Sequence, residues 1–293
     1  MRADPIEGVK TVVVDKAPPE LYLIVSALFH KLGPAFAVLL FASIEPVGVA
    51  WLRIVAAGAI FALWRRPWRA FAALGRAPRR LLVAWGVVLA VMNPTFYAAL
   101  ERLPLGTVAA IEFLPVILLA VLGVTTPRNA AALALAVTGV WILADARFAG
   151  EPVGFVLAFA NAGLFALYIV LAHRVARHGA IVGIDGLAVA MVVASLVITP
   201  IGGAAVVPVL GEPALLVAGI GVGITSSVVP YVSDQLAMAR VKRSTYALLV
   251  SLQPATAAAV GVLILGQFPA AIEVVGIGLV VAAAAVHRDA EAV

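Results

Sequence analysis

The sequence predicts an all-α integral membrane protein of ten transmembrane helices, folded as two inverted five-helix repeats. Three observations carry this expectation. Hydrophobic residues make up 64% of the 293-residue chain, the mean hydropathy is +1.12 and only 12% of residues are charged, where a soluble domain carries about 25%. Apolar runs bounded by Pro, Gly or charge recur at 21–42, 47–64, 80–100, 105–124, 128–146, 152–173, 184–204, 214–238, 245–266 and 269–287, and roughly 20 helical residues cross a hydrocarbon core of about 30 Å. The two halves also echo each other: Ala99-Leu100-Glu101-Arg102-Leu103 leads to Pro115 much as Ala237-Met238-Ala239-Arg240-Val241 leads to Pro254. Five crossings per half is an odd number, so a second copy enters the membrane upside down, an arrangement common in transporters.

The elements follow in order. Residues 1–20 mix Arg2, Lys10 and Lys16 with Asp4, Glu7, Asp15 and Glu20 around Pro5, Pro18 and Pro19. They lack the apolar core of a signal peptide and read as a cytoplasmic tail. The first run is the weakest, because His30-Lys31 interrupts it and Gly33-Pro34 follows at once. After the second run, Trp64 and Trp68 suit an interfacial belt, and the Arg65 to Arg80 segment suits anchoring to headgroups. Residues 21–147 form the first repeat, 152–288 the second, and 289–293 a short cytoplasmic tail. Gly219-Ile220-Gly221-Val222-Gly223 in the eighth run lacks a third glycine at the dinucleotide-loop spacing and follows no strand, so close helix packing is its expected role.

Charge sets the orientation. With the amino terminus inside, the cytoplasmic segments hold Arg2, Lys10, Lys16, Arg65, Arg66, Arg69, Arg76, Arg79, Arg80, Arg128, Arg174, Arg177, Arg240, Lys242, Arg243 and Arg288, sixteen of the 20 basic residues. The opposite loops keep only Arg102 and Arg147 beside Glu45, Asp145, Glu151 and Glu212. Both termini are therefore expected in the cytoplasm of an inner-membrane protein. The same distribution explains the pI of about 9.9 without a nucleic-acid partner.

Ionisable residues inside the spans are costly, about 2.5–3.5 kcal/mol each at a helix centre on insertion scales, and mark cavities or ion pairs. Glu112 stands in a run otherwise free of charge and is the leading candidate, either to exchange a proton with the coupling gradient or to hold a substrate ammonium. Arg53 is expected to clamp a substrate carboxylate or to pair structurally with Glu112; the two readings stand equally. Lys31, ten residues into its span, is expected to face a cavity, while His30 beside it points to another face as a hydrogen-bonded packing group. Asn93 and Tyr97, four apart, share a face of the third span, and Ser227, Tyr231 and Asp234 or Gln235 form a similar stripe around Pro230; such stripes serve either as interhelical hydrogen-bond glue or as the lining of a path. Tyr97, Tyr168 and Tyr231 are favoured over Asn161 as lining residues. Asp234, near the cytoplasmic end of its span and close to Arg240 and Lys242, reads as a gate or ion pair.

In order and spacing the chain from about 21 to 288 resembles the drug/metabolite transporter superfamily, specifically EamA-type exporters of the threonine/homoserine kind. The matching pieces are Leu52-Arg53, Arg66-Pro67-Trp68, Phe96-Tyr97-x-Ala99-Leu100, Ala110-Ile111-Glu112-Phe113-Leu114-Pro115, Ser226-Ser227-Val228-Val229-Pro230-Tyr231 and Gln253-Pro254-Ala255. The resemblance implies two inverted repeats, alternating access and efflux of amino acids or related metabolites driven by protons. Three departures stand out: Gln253 where such exporters often have Glu before Pro, Gln267 where Leu-Gly-Glu is common, and His30-Lys31 where uncharged polar groups are usual.

The expected partners are a small-molecule substrate, the lipid bilayer and protons as coupling ion; a homodimer is compatible with the sequence. No cofactor and no metal is expected. The alternatives are a passive facilitator or channel, which needs no titrating residue, and an intramembrane enzyme. The second is disfavoured because the four His, at 30, 173, 178 and 287, make no metal motif, Ser226-Ser227 has no evident His partner, and the chain has no Cys.

Overall fold

The structure, a computed structural model, describes residues 19–123, 126–147, 151–177, 183–238 and 253–286. All regular structure among the described residues is helical: α1 Pro19–Leu40, α2 Pro46–Arg65, α3 Pro67–Ala73, α4 Arg76–Leu100, α5 Leu105–Gly123, α6 Pro127–Arg147, α7 Pro152–Arg177, α8 Ile184–Val206, α9 Pro213–Gly223, α10 Val229–Met238, α11 Gln253–Leu265 and α12 Ala271–Val286. A π-helical turn, Ile224–Val228, joins α9 to α10. Five stretches are long and apolar enough to cross a bilayer: Pro46–Arg65, Arg76–Leu100, Pro152–Val175, Ile184–Val209 and Pro213–Asp234. Shorter apolar helices, Ile24–Leu40, Leu105–Pro115, Pro127–Leu143, Gln253–Leu265 and Ala271–Val286, fall in the remaining predicted runs. Residues 245–252 of the ninth run, and Arg240 and Lys242 beyond Asp234, lie outside the described residues.

Proline punctuates the fold. Pro19, Pro46, Pro67, Pro127, Pro152 and Pro213 each open a helix, where a missing N–H leaves nothing unpaired and φ is already helical. Within helices, Pro34, Pro94, Pro115 and Pro200 remove one backbone bond each. α1 nevertheless runs unbroken through His30-Lys31 and Pro34, so the run with the weakest sequence signal is a full helix. The eighth run departs in the other direction: it reads as one helix, but the π turn divides it, next to Pro230, which cannot supply the N–H that an α-helical turn there requires.

The helices pack pairwise, α2 on α8, α6 on α12, α4 on α7 and α8, α5 on α7 and α11, and α1 on α10 and α11. Lipid-like packing gives no hydrophobic drive between helices, so small residues that let backbones meet do most of this. Gly86 of α4 lies against Ala190 and Val193 of α8, and Gly223 lies against Arg53 and Ala56 of α2. Gly139 and Gly276 face each other, so close that a Cβ on either would run into the other's carbonyl oxygen. Gly219 presses on Leu52 while Gly221 has nothing near it, so the close-packing role expected for this glycine run falls on its first and last members.

Gln267 shows how one departure from the family pattern is absorbed. Gly266, at φ +64, turns the chain out of α11, and the Gln267 side chain then accepts the Leu105 backbone N–H at 3.0 Å. It thereby caps the open amino-terminal end of α5 from the other half of the chain. The role needs an acceptor oxygen, which Gln and Glu both supply. Gln267→Ala is expected to destabilise the protein by about 1 kcal/mol, as loss of a helix cap does, and Gln267→Glu to match or exceed wild type because an anion suits a helix amino terminus. Thermal unfolding of the two variants checks this; equal midpoints for Ala and Glu would remove the cap.

Candidate functional site

Arg53 sits in the buried face of α2, 6% exposed, and its guanidinium is held on three sides. Nε donates to Ser227 Oγ at 2.9 Å, one terminal nitrogen to the Ser226 carbonyl at 3.1 Å and the other to the Tyr97 hydroxyl at 3.4 Å. The Ser226 carbonyl is available because of the chain's local chemistry: Pro230, four residues on, has no N–H to offer it. The guanidinium also lies 5.5 Å from the centre of the Tyr97 ring, a cation–π distance. Tyr97 is wholly buried, with Phe41 and Phe96 at ring distances of 5.8 and 5.7 Å. Its helix neighbour Asn93 is turned away, its amide donating to the Leu89 carbonyl of its own helix at 2.8 Å.

Lys31 of α1 is 5% exposed, within electrostatic reach of both Glu112 and Arg53. Yet no ion pair within 4.0 Å and no hydrogen bond joins it to any of the described residues. Glu112 of α5 is half-buried and accepts a hydrogen bond at 3.0 Å from the amide of Asn161 on α7. Asn161 is completely buried, and its other polar atom, Oδ1, has no partner among the described residues. Asn161 ranked below the tyrosines as a sequence candidate. The signal that marks it is that it is the lone amide in the apolar run 152–173.

Tyr231 connects this region to a second one. It shares a hydrogen bond with Tyr168 and lies within electrostatic reach of Arg53, Glu112 and Asp234. Tyr168 in turn stacks on Phe165 at 5.9 Å and tilts against Trp85 at 5.6 Å. One turn along α10, Asp234 receives Ser26 Oγ at 2.5 Å and pairs with His30 Nε2 at 3.1 Å, and the His30 ring meets Tyr231 edge-on at 5.4 Å. His30 thus packs by hydrogen bonding, as expected, and the partner it packs with is Asp234. Ser26 had no separate signal in the sequence; it lies four residues before His30, on the same face of α1.

Lys31, Arg53, Tyr97, Glu112, Tyr168 and Tyr231 therefore form one connected region, Asp234 borders it through Tyr231, and Asn93 stands apart. Among the described residues no cluster of three His, Cys, Asp or Glu could hold a metal.

Helices long and apolar enough to cross a bilayer, with two buried cations within electrostatic reach of one carboxylate, fit the class of membrane transport proteins. No family model matches the chain. Curated relatives do: it is 30% identical over 273 residues to the threonine/homoserine exporter RhtA of Escherichia coli (strain K12), covering 90% of this chain and 89% of that protein. It is 29% identical over 270 residues to RhtA of Salmonella typhimurium (strain SL1344), with the same coverage. The chain belongs to the RhtA family of exporters, in the EamA group of drug/metabolite transporters. A protein of known crystal structure matches with a TM-score of 0.60 at 20% identity, covering 92% of this chain and 96% of that one, a likeness of fold alone.

Proposed function

We propose that the protein exports small amino acids of the threonine/homoserine type by proton antiport, through alternating access of two inverted five-helix repeats with both termini in the cytoplasm. The observation that carries this is that the buried Lys31 and Arg53 lie within electrostatic reach of the half-buried Glu112, where Arg53 bonds Ser226 and Ser227 and Glu112 bonds Asn161 of the second half. A zwitterion presents one ammonium and one carboxylate. Glu112 takes the ammonium or a proton, one at a time, which couples the two fluxes. Lys31 takes the carboxylate, and Arg53 shapes the wall and adds positive potential. Tyr97, Tyr168 and Tyr231 line the path, and Asp234 with His30 latches α1 to α10.

The repeat reading is supported by contacts that map onto one another under a single shift of 137 residues. Gly86 on Ala190 and Val193 becomes Gly223 on Arg53 and Ala56, since 86 goes to 223, 53 to 190 and 56 to 193. The same shift pairs residues that meet directly: Gly58 with Ser195, and Gly139 with Gly276. Self-pairing of that kind is what a two-fold axis between two copies produces. The shift also puts Ala190 opposite Arg53, so the charge belongs to one copy.

The test is efflux of threonine and homoserine from vesicles carrying the purified protein, with and without an imposed pH gradient. Wild type is expected to accelerate efflux when the gradient opposes the substrate. Glu112→Gln, which keeps shape but cannot exchange a proton, is expected to lose that acceleration by at least about tenfold while unfolding at a similar temperature. Undiminished gradient-driven efflux in this variant would remove Glu112 from the coupling, and efflux that ignores the gradient in wild type would favour a facilitator.

A further inference from the structure

Asn161 is the least exposed polar group next to Glu112, and only half of its amide is in use. Nδ2 donates to Glu112 Oε1 at 3.0 Å; Oδ1 is buried with no partner among the described residues. An orphaned buried carbonyl in a wholly enclosed side chain is unfavourable, and such groups in native proteins call for a reason. An apolar residue of the same shape would remove the cost.

We propose that Asn161 Oδ1 and the second oxygen of Glu112 form a single cation seat, filled by a proton in one half of the transport cycle and by the primary ammonium of the substrate in the other. This rests on the reading of Glu112 as the cation-binding carboxylate. With Glu112 ionised, the amide N–H satisfies one carboxylate oxygen, while the other carboxylate oxygen and Oδ1, both acceptors, have no donor among the described residues to share between them. A proton on Glu112 resolves the conflict: its O–H donates to Oδ1 while Nδ2–H still donates to Oε1, giving the closed two-bond ring of an acid–amide pair. An ammonium resolves it differently, placing one N–H on the carboxylate oxygen and another on Oδ1. Each occupant excludes the other, so Asn161 makes the exchange one-for-one at a defined place. The seat recognises donors, not charge alone, and a quaternary ammonium has none to give.

α5 carries Glu112 and α7 carries Asn161, so the seat spans the two halves of the chain. Among the described residues, the charged Lys31 and Arg53 and the titratable Tyr231 lie within electrostatic reach of Glu112.

Two readouts on the full-length protein test the seat. In vesicles, transport of threonine is compared with its N-methyl, N,N-dimethyl and N,N,N-trimethyl forms, for wild type, Asn161→Leu, Asn161→Asp and Glu112→Gln. Wild type is expected to prefer threonine over the trimethyl form by more than about tenfold, as sites that hydrogen-bond a substrate group do. Asn161→Leu should lower threonine kcat/KM by about tenfold or more and leave the trimethyl form within about twofold, collapsing the preference. Asn161→Asp, which keeps an acceptor, should restore part of it. Equal losses for all four compounds in Asn161→Leu would make Asn161 structural, and no loss would make it a spectator; either result overturns the proposal. Retained preference in Glu112→Gln would instead overturn the reading of Glu112.

The second readout needs no substrate. Infrared difference spectra between high and low pH should contain a carboxylic C=O band that disappears in Glu112→Gln. In Asn161→Leu that band should move up toward the frequency of an unpaired acid, because the ring is lost, and in Asn161→Asp it should stay low. A band unmoved by Asn161→Leu would sink the proposal even if threonine were not the substrate, and absence of any Glu112 band would sink the carboxylate reading beneath it.

Discussion

Lys31→Met is expected to raise the thermal midpoint of the protein by several degrees while cutting its transport of amino acids at least about a hundredfold. The two effects have one origin. Lys31 is 5% exposed and makes no hydrogen bond or close ion pair to the described residues, so among them its ammonium gives up most of its water without a direct partner. Replacing buried charges with apolar groups of similar volume is often stabilising, by about 1–4 kcal/mol, and in a chain of this size 1 kcal/mol moves the midpoint by roughly 2–4 °C. A binding site, in contrast, keeps such a group because the ligand supplies its partner. The carboxylate of an amino acid would sit on Lys31 and lower the cost that the empty site carries. Thermal unfolding and vesicle efflux of the same preparation give both numbers. A variant that loses stability and transport together would mean that Lys31 is a packing group, and one that gains stability yet transports normally would place the carboxylate elsewhere.

Much of this was legible in the sequence because a bilayer restricts what a chain can do. Only helices satisfy their own backbone in lipid, so the apolar runs translate into helical segments wherever their residues are described, five of them long enough to span, and the rarity of charge inside them singles out Lys31, Arg53, Glu112 and Asp234 before any geometry is known. The π turn was not legible. Ser226-Ser227 and Pro230 are each compatible with a kinked α-helix, and which backbone carbonyl turns outward depends on Arg53 arriving from α2, 173 residues away in sequence. Partner choice was equally hidden. Periodicity puts His30 and Lys31 on different faces of α1, but whether His30 meets Asp234, at a separation of 204 residues, depends on how α1 crosses α10. That crossing is set by Gly33 lying against Ser226, a contact between two small residues with no chemical signature of its own. Asn161 illustrates the remaining limit: a lone amide in an apolar span is visible, yet its burial and an Oδ1 without a partner among the described residues, on which the proposed seat rests, are not.

Arg53→Lys should behave oppositely to Lys31→Met although it preserves the charge. The guanidinium satisfies Ser227 Oγ, the Ser226 carbonyl and the Tyr97 hydroxyl from three nitrogens fixed in one plane. A lysine ammonium is a point charge on a flexible stem and cannot reproduce that fork. At least one buried carbonyl or hydroxyl is then left unpaired, at about 1–3 kcal/mol each, and the π turn loses the contact that ties it to α2 and α4. The midpoint is therefore expected to fall by several degrees. Because the fault lies in the wall and not in one ligand contact, efflux of an amino acid and of its decarboxylated amine should fall together, by at least about tenfold. Selective loss of the amino acid with the amine retained would show instead that Arg53 keeps its free N–H groups for the substrate carboxylate, and Lys31 would then be an accessory charge. The two substitutions thus separate the two cations by sign: Arg53 is held by three hydrogen bonds, and Lys31, with no hydrogen bond to the described residues, is the one expected to gain a partner when a substrate carboxylate binds.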